Sequence, residues 1–181
     1  MISTPIESAA SNDYHFVTKW RFRATCEEVF DILGNPLALC QWCPEVYLKV
    51  EELQPGDEDG LGRVISLHTK GWLPYTLKWQ FRVSHVMRPT GFSLVASGDF
   101  VGTGEWTFTQ DGDEVEVIYD WRIRADKPLI RSLSFLLKPV FSMNHEWAMA
   151  KGEVGLRKEI VRIREMKQHA EEIWSFSRSN S

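Results

Sequence analysis

"KPVFSMNHEWAMAKGEVGL", residues 138–156, decides how this chain packs. At 3.6 residues per turn, Phe141, His145, Met149, Gly152 and Leu156 fall on one stripe, which Ile160 and Ile163 prolong. Met143, Trp147, Val154 and Val161 form a second stripe on nearly the opposite side. The pattern predicts a long helix from residue 129 to about 166, with Pro139 as its one internal proline. An apolar stripe has to lie on something. The second stripe is expected to be buried within the monomer, through a kink at Pro139 or strong curvature of the covering surface. Left exposed, it would pair with a second copy, so monomer and homodimer both stand.

The surface for the helix to lie on comes earlier in the chain. "YHFVTKWRFR" (14–23) alternates as a strand, with Tyr14, Phe16, Trp20 and Phe22 on one face and His15, Lys19, Arg21 and Arg23 on the other. Thr25 then caps "CEEVFDIL", with Glu28 completing a capping box. Asn35-Pro36 opens a second short helix that Pro44 stops. From Glu45 to Ala125 the chain reads as strands punctuated by turns, among them a two-residue hairpin turn at Asp111-Gly112. Leu77, Trp79, Phe81 and Val83 share a face, as do Trp106 and Phe108, and Val115, Val117, Tyr119, Trp121 and Ile123. A sheet with one apolar face needs a cover, and the long helix supplies it. The fold class is α+β: a strand, two short helices, about six more antiparallel strands, then the long C-terminal helix. One domain over 13–167 is expected, between a patternless leader (1–12) and a polar tail (168–181).

Composition narrows the function. The 181 residues suffice for a genuine core without staples. A net charge of −4 argues against nucleic acid or an anionic membrane as partner. No run approaches the ~18 apolar residues of a membrane span. The N-terminal "MISTPIESAASND" lacks a basic start and an apolar run, and three cysteines are an odd number, so a cytoplasmic protein with reduced thiols is expected. Eight tryptophans mean either large bodies to bury or a cavity lined with rings.

Most motif readings fail. Cys40 and Cys43 have the C-x-x-C spacing, but they close a short helix, whereas a reactive thiol belongs at a helix start. No further ligand set follows for zinc, so both are read as packing residues, with Leu39 and Trp42 packing beside them, and no metal or cofactor is expected. "GTGEWT" (102–107) lacks the third glycine of a dinucleotide loop and enters a strand. "GDEDG" (56–60) lacks the downstream glutamate of a calcium loop and reads as a solvated turn.

Two stretches, "GDFVGTGEWTFTQDGDEVEVIYDW" (98–121) and "KPVFSMNHEWAMAKGEVGL" (138–156), resemble the START-like superfamily and, within it, the polyketide cyclase/dehydrase-like proteins. The similarity spans roughly 14–165. It implies a helix-grip fold, a curved antiparallel sheet of about seven strands around a long helix, with a hydrophobic cavity between them. It also implies a bulky apolar ligand of lipid, sterol or polyketide type, and in a minority of members aromatic cyclisation or dehydration. The scaffold hosts many functions.

On this reading Trp79, Phe81, Trp106, Phe108, Tyr119 and Trp121 line one enclosed apolar space, roofed by Phe141, Asn144, His145 and Met149. His145 is either a core histidine hydrogen-bonded to a strand or a cavity donor and general acid/base. His85 extends the face of Trp79, Phe81 and Val83, His68 could face either way, and Tyr119 could offer its hydroxyl to a ligand carbonyl. Gly152 and Gly155 are expected to let the helix pack closely on the sheet. Three functions follow: a carrier or sensor of a hydrophobic molecule, a cyclase or dehydratase using His145, and an interaction module through Met143, Trp147, Val154 and Val161.

Overall fold

The computed structural model describes residues 13–125 and 134–179. The expected leader and the expected start of the long helix at 129 lie outside the described residues. The order is β1 (Asp13–Phe22), α1 (Cys26–Leu33), a 3-10 turn (Pro36–Ala38) and α2 (Leu39–Trp42). Then come β2 (Tyr47–Gln54), β3 (Val64–Lys70), β4 (Thr76–Met87), β5 (Gly91–Gly98), β6 (Phe100–Asp111), β7 (Glu114–Ala125) and α3 (Ser134–Ser179). The strands form one antiparallel sheet in the order β1-β7-β6-β5-β4-β3-β2. Each strand from β2 to β6 pairs with its successor, and β1 closes on β7 from Asp13↔Arg124 to Phe22↔Val115. The α1–α2 segment therefore joins the sheet's two edge strands.

Period-2 alternation makes this sheet one-sided. Tyr14, Trp20 and Phe22 of β1 are buried while His15, Lys19 and Arg21 are exposed. Every second residue of β7 from Val115 to Ile123 is buried. The β6–β7 hairpin turns one residue later than expected, because Asp111 still pairs with Glu114 and the loop is Gly112-Asp113. Gly112 takes φ +61°, the left-handed conformation that a tight hairpin asks of glycine at its first loop position.

The β4 alternation breaks at a point that no local pattern marks. A register shift between Val83 and His85 inserts a bulge, which reverses the facing of the residues after it. Val86 turns inward, and His85, expected on the inner face, is exposed on the outer one.

Three joints fix the helices. Thr25 Oγ1 accepts from Glu28 N–H at 3.2 Å, and Glu28 Oε2 accepts from Thr25 N–H at 2.9 Å, so the capping box is formed. Gln110 at the end of β6 accepts from Cys26 N–H (2.9 Å) and donates to Ala24 C=O (3.0 Å), clamping the start of α1 to the sheet. Gly155 sets α3 against α2: a Cβ there would lie 2.3 Å from the Trp42 carbonyl oxygen. Gly152 meets the sheet as expected, facing the Trp20 ring, whereas Gly155 packs on α2 instead.

Helix α3 has 46 residues, about 69 Å of helix. Phe141, Leu156 and Ile160 are buried on the sheet side, and His145, Met149 and Ile163 are half-buried there. The second stripe is not buried, contrary to expectation: Met143, Val154 and Val161 are 57, 53 and 50% exposed. The sheet covers one side of the helix only. Trp147 alone is half-buried, with the Lys151 ammonium 5.7 Å from its ring centre. The expected polar tail continues α3 to Ser179, and beyond Ile163 every described side chain is exposed, including Met166, Ile173 and Trp174. Among the described residues no helix is long and apolar enough to cross a membrane.

Candidate functional site

Between the concave face of the sheet and α3 lies a cavity of about 140 Å³. One buried water takes about 10–15 Å³ on such a scale, so the space holds a molecule of roughly ten heavy atoms or more. Trp79, Phe81, Trp106, Tyr119 and Trp121 form its floor, and Phe141, Asn144, His145 and Met149 form its roof. Phe108 does not line it. That residue is 2% exposed and packs edge-on against Phe30 at 6.4 Å and Phe92 at 6.2 Å, because α1 plugs that end of the sheet.

Strand register builds the aromatic floor. Trp106 and Tyr119 are cross-strand partners, and their rings stack at 4.0 Å and 13°. Tyr119 stacks in turn on Trp121 (5.5 Å), and Trp121 meets Trp79 (5.6 Å). The opposing strand leaves room through Gly104, where a Cβ would come within 2.8 Å of both the Trp121 ring and the Tyr119 hydroxyl. The "GTGEWT" segment thus carries its glycine for rings, not for a phosphate. Trp20, Tyr47 and Phe100 also line the space, and sequence reasoning did not assign them to it. Trp20 had a signal, since it shares the apolar face of β1.

Polar side chains in the walls are few. Thr69 Oγ1 accepts from Trp79 Nε1–H at 3.2 Å. Asn144, 7% exposed, accepts from Leu73 N–H at 3.3 Å, which ties the β3–β4 loop to α3. Glycine at 71 leaves this amide its place, because a Cβ there would lie 2.0 Å from Asn144 Oδ1 and push the side chain aside. His145 meets a strand, but not through the expected hydrogen bond: its ring stacks on Phe16 at 4.0 Å and 15°, and its buried Nε2 has no partner among the described residues. Trp42 Nε1 is likewise buried without one.

Burial keeps the site uncharged. Desolvation lowers the His145 pKa to about 4, so the ring is neutral at pH 7. Burial pushes the Tyr119 and Tyr47 phenols well above their ordinary value, so both keep their protons. Lys70, exposed at the rim, is the one ordinarily charged side chain in the described walls.

The cysteines are free thiols, Cys26 and Cys43 buried and Cys40 half-buried. Cys43 is fully buried, and burial first, then Glu45, raises its thiol to about 11. Leu39 and Trp42 beside it are buried and line the cavity. His68 sits half-buried on β3, and it is not among the residues lining the cavity. Among the described residues no three His, Cys, Asp or Glu side chains gather to hold a metal ion.

No protein-family model matches the sequence, and no curated protein matches it. Solved structures do match its fold. A protein from Thermus thermophilus aligns with TM-score 0.65 at 16% identity, over 83% of this chain and 99% of that one. The Zhui aromatase/cyclase from a Streptomyces species aligns with TM-score 0.63 at 19% identity, over 83% and 94%. A START superfamily protein from Mycobacterium smegmatis aligns with TM-score 0.59 at 14% identity, over 82% and 98%. The chain has the START-like helix-grip fold, α+β, with the seven-stranded antiparallel sheet around α3.

Proposed function

We propose that this protein binds a bulky, uncharged hydrophobic molecule, of lipid, sterol or polyketide type, in the cavity under α3, and acts as its carrier or sensor. One observation carries the reading: the cavity is walled by stacked aromatic rings and its interior polar groups are held neutral. Burying an unpaired charge there would cost several kcal/mol or more, whereas apolar area is favoured at about 25 cal/mol per Å². The likeness to a START superfamily protein supports it. Native mass spectrometry of the protein purified from its own host tests it. The expected result is a stoichiometric adduct that denaturation releases as a neutral apolar compound. Adduct-free protein that also takes up no apolar probe would contradict it.

A cyclase or dehydratase is the second reading, supported by the likeness to an aromatase/cyclase and by His145 in the cavity roof. His145 would take a proton from a carbon beside a ketone while Tyr119 or Asn144 holds the oxyanion. Two features make it the weaker reading. A base with a pKa of about 4 is far from the working pH, and Nε2 is buried. His145→Gln decides: a loss of about 10²–10⁴-fold in turnover with binding retained would favour catalysis. An interaction role for the stripe of Met143, Trp147, Val154 and Val161 has its exposure in its favour. A shift in sedimentation on Val154→Glu would support it.

A further inference from the structure

A second space of about 180 Å³ lies beside the first, between the end of α1, the 58–63 turn and the far ends of β4 and β5. Leu33, Pro36, Phe81 and Phe92 touch both spaces, so a single layer of side chains separates them. The β4 bulge makes the second space apolar at its base: by turning Val86 inward after Val83, it sets two aliphatic side chains there. The rim is polar, and its arginines are already engaged. Arg88 donates to Asp31 at 2.7 Å and Glu27 at 3.2 Å, and Arg63 pairs with Glu52 at 3.0 Å while donating to Gly34 C=O at 3.2 Å. Glu58 and Asp59 complete a rim that offers no free cation to an anionic group.

We propose that the two spaces are successive chambers of one elongated site, with Phe81 and Leu33 as the constriction between them. The ligand is then a ring-and-chain hydrophobe without an anionic end: its bulky body fills the chamber under α3 and its chain passes Phe81 into the second chamber. The inference rests on the cavity reading above and adds a length requirement to it. Leu33 is half-buried and is the last residue of α1, so on this proposal its side chain turns to another rotamer to admit the chain.

Prodan and laurdan test it, since both carry the same naphthalene ketone, with a propionyl chain on the first and a dodecanoyl chain on the second. The wild type is expected to bind laurdan at least about ten-fold more tightly, which burying about two methylenes supplies. Val83→Trp or Val86→Trp, which fill the second chamber, should each weaken laurdan about ten-fold and leave prodan within about two-fold. Equal affinity of the wild type for the two dyes would overturn the proposal. So would folded variants that weaken both dyes alike or neither. Failure of the wild type to bind either dye would overturn the cavity reading itself.

Discussion

Arg164 grips Glu28 with both arms of its guanidinium, Nε to Oε1 at 2.6 Å and Nη2 to Oε2 at 2.7 Å, and past it every described side chain of α3 is exposed. The same carboxylate caps α1, so one residue serves both helices. The Arg164 hydrogen bonds, then the Thr25 backbone, lower its pKa to about 2 from an ordinary 4.5, with partial desolvation opposing them. A depressed carboxylate stabilises the fold above its unfolded value and loses that contribution as pH falls. Glu28→Gln should cost about 1–2 kcal/mol at neutral pH, allowing for the half-exposed arginine. It should also flatten the loss of stability from pH 4.5 down to about 2. Urea midpoints across that range check it.

His145 titrates in a higher window. Its folded pKa of about 4 lies below the ordinary 6.5, so the unfolded chain takes up the proton first. Its contribution is whole above pH 6.5 and is lost as pH falls toward 4, up to about 3 kcal/mol. His145→Phe, which preserves a ring against Phe16, should remove this part of the acid dependence and leave the lower one, due to Glu28, in place. An unchanged slope between pH 6.5 and 4 would mean that the imidazole is hydrated in the fold.

The end of α3 should be dispensable for folding. A chain ending at Lys167 keeps Arg164, and the described side chains it loses are all exposed. Its stability should change by less than about 0.5 kcal/mol. A marked fall in the unfolding midpoint would show that Ile173 or Trp174 is covered in solution.

Cys40→Ala with Cys43→Ala should leave secondary structure and probe binding intact, at a cost of about 1 kcal/mol for the methyl-sized void at Cys43. Stoichiometric zinc in the wild type, or loss of binding on mild oxidation, would contradict the packing role.

What could be read in the sequence is what local periodicity dictates. The faces of β1 and β7, the Thr25–Glu28 capping box and the inner stripe of α3 each depend on residues within one element. What escaped depends on other elements. The bulge that turns His85 outward appears only when β5 is paired with β4. Phe108 alternates correctly but lies under α1, and alternation does not say which helix covers which part of a sheet. The exposure of Met143, Val154 and Val161 follows from how much of the helix the sheet wraps, a tertiary quantity. Tyr47 reaches the cavity from an edge strand whose burial hardly alternates, so no local pattern marked it.

The eight tryptophans make the central claim directly measurable. Trp20, Trp42, Trp79, Trp106 and Trp121 line the cavity, whereas Trp72, Trp147 and Trp174 lie outside it. Their indole N–H signals in a nitrogen-15 correlation spectrum, assigned by single Trp→Phe substitutions, report the two groups separately. On titration with 2-acetylnaphthalene, the account predicts saturable shifts in the five cavity indoles, with Trp72 and Trp174 unmoved. Shifts confined to Trp72, Trp147 or Trp174, or no saturable shift at all, would contradict it.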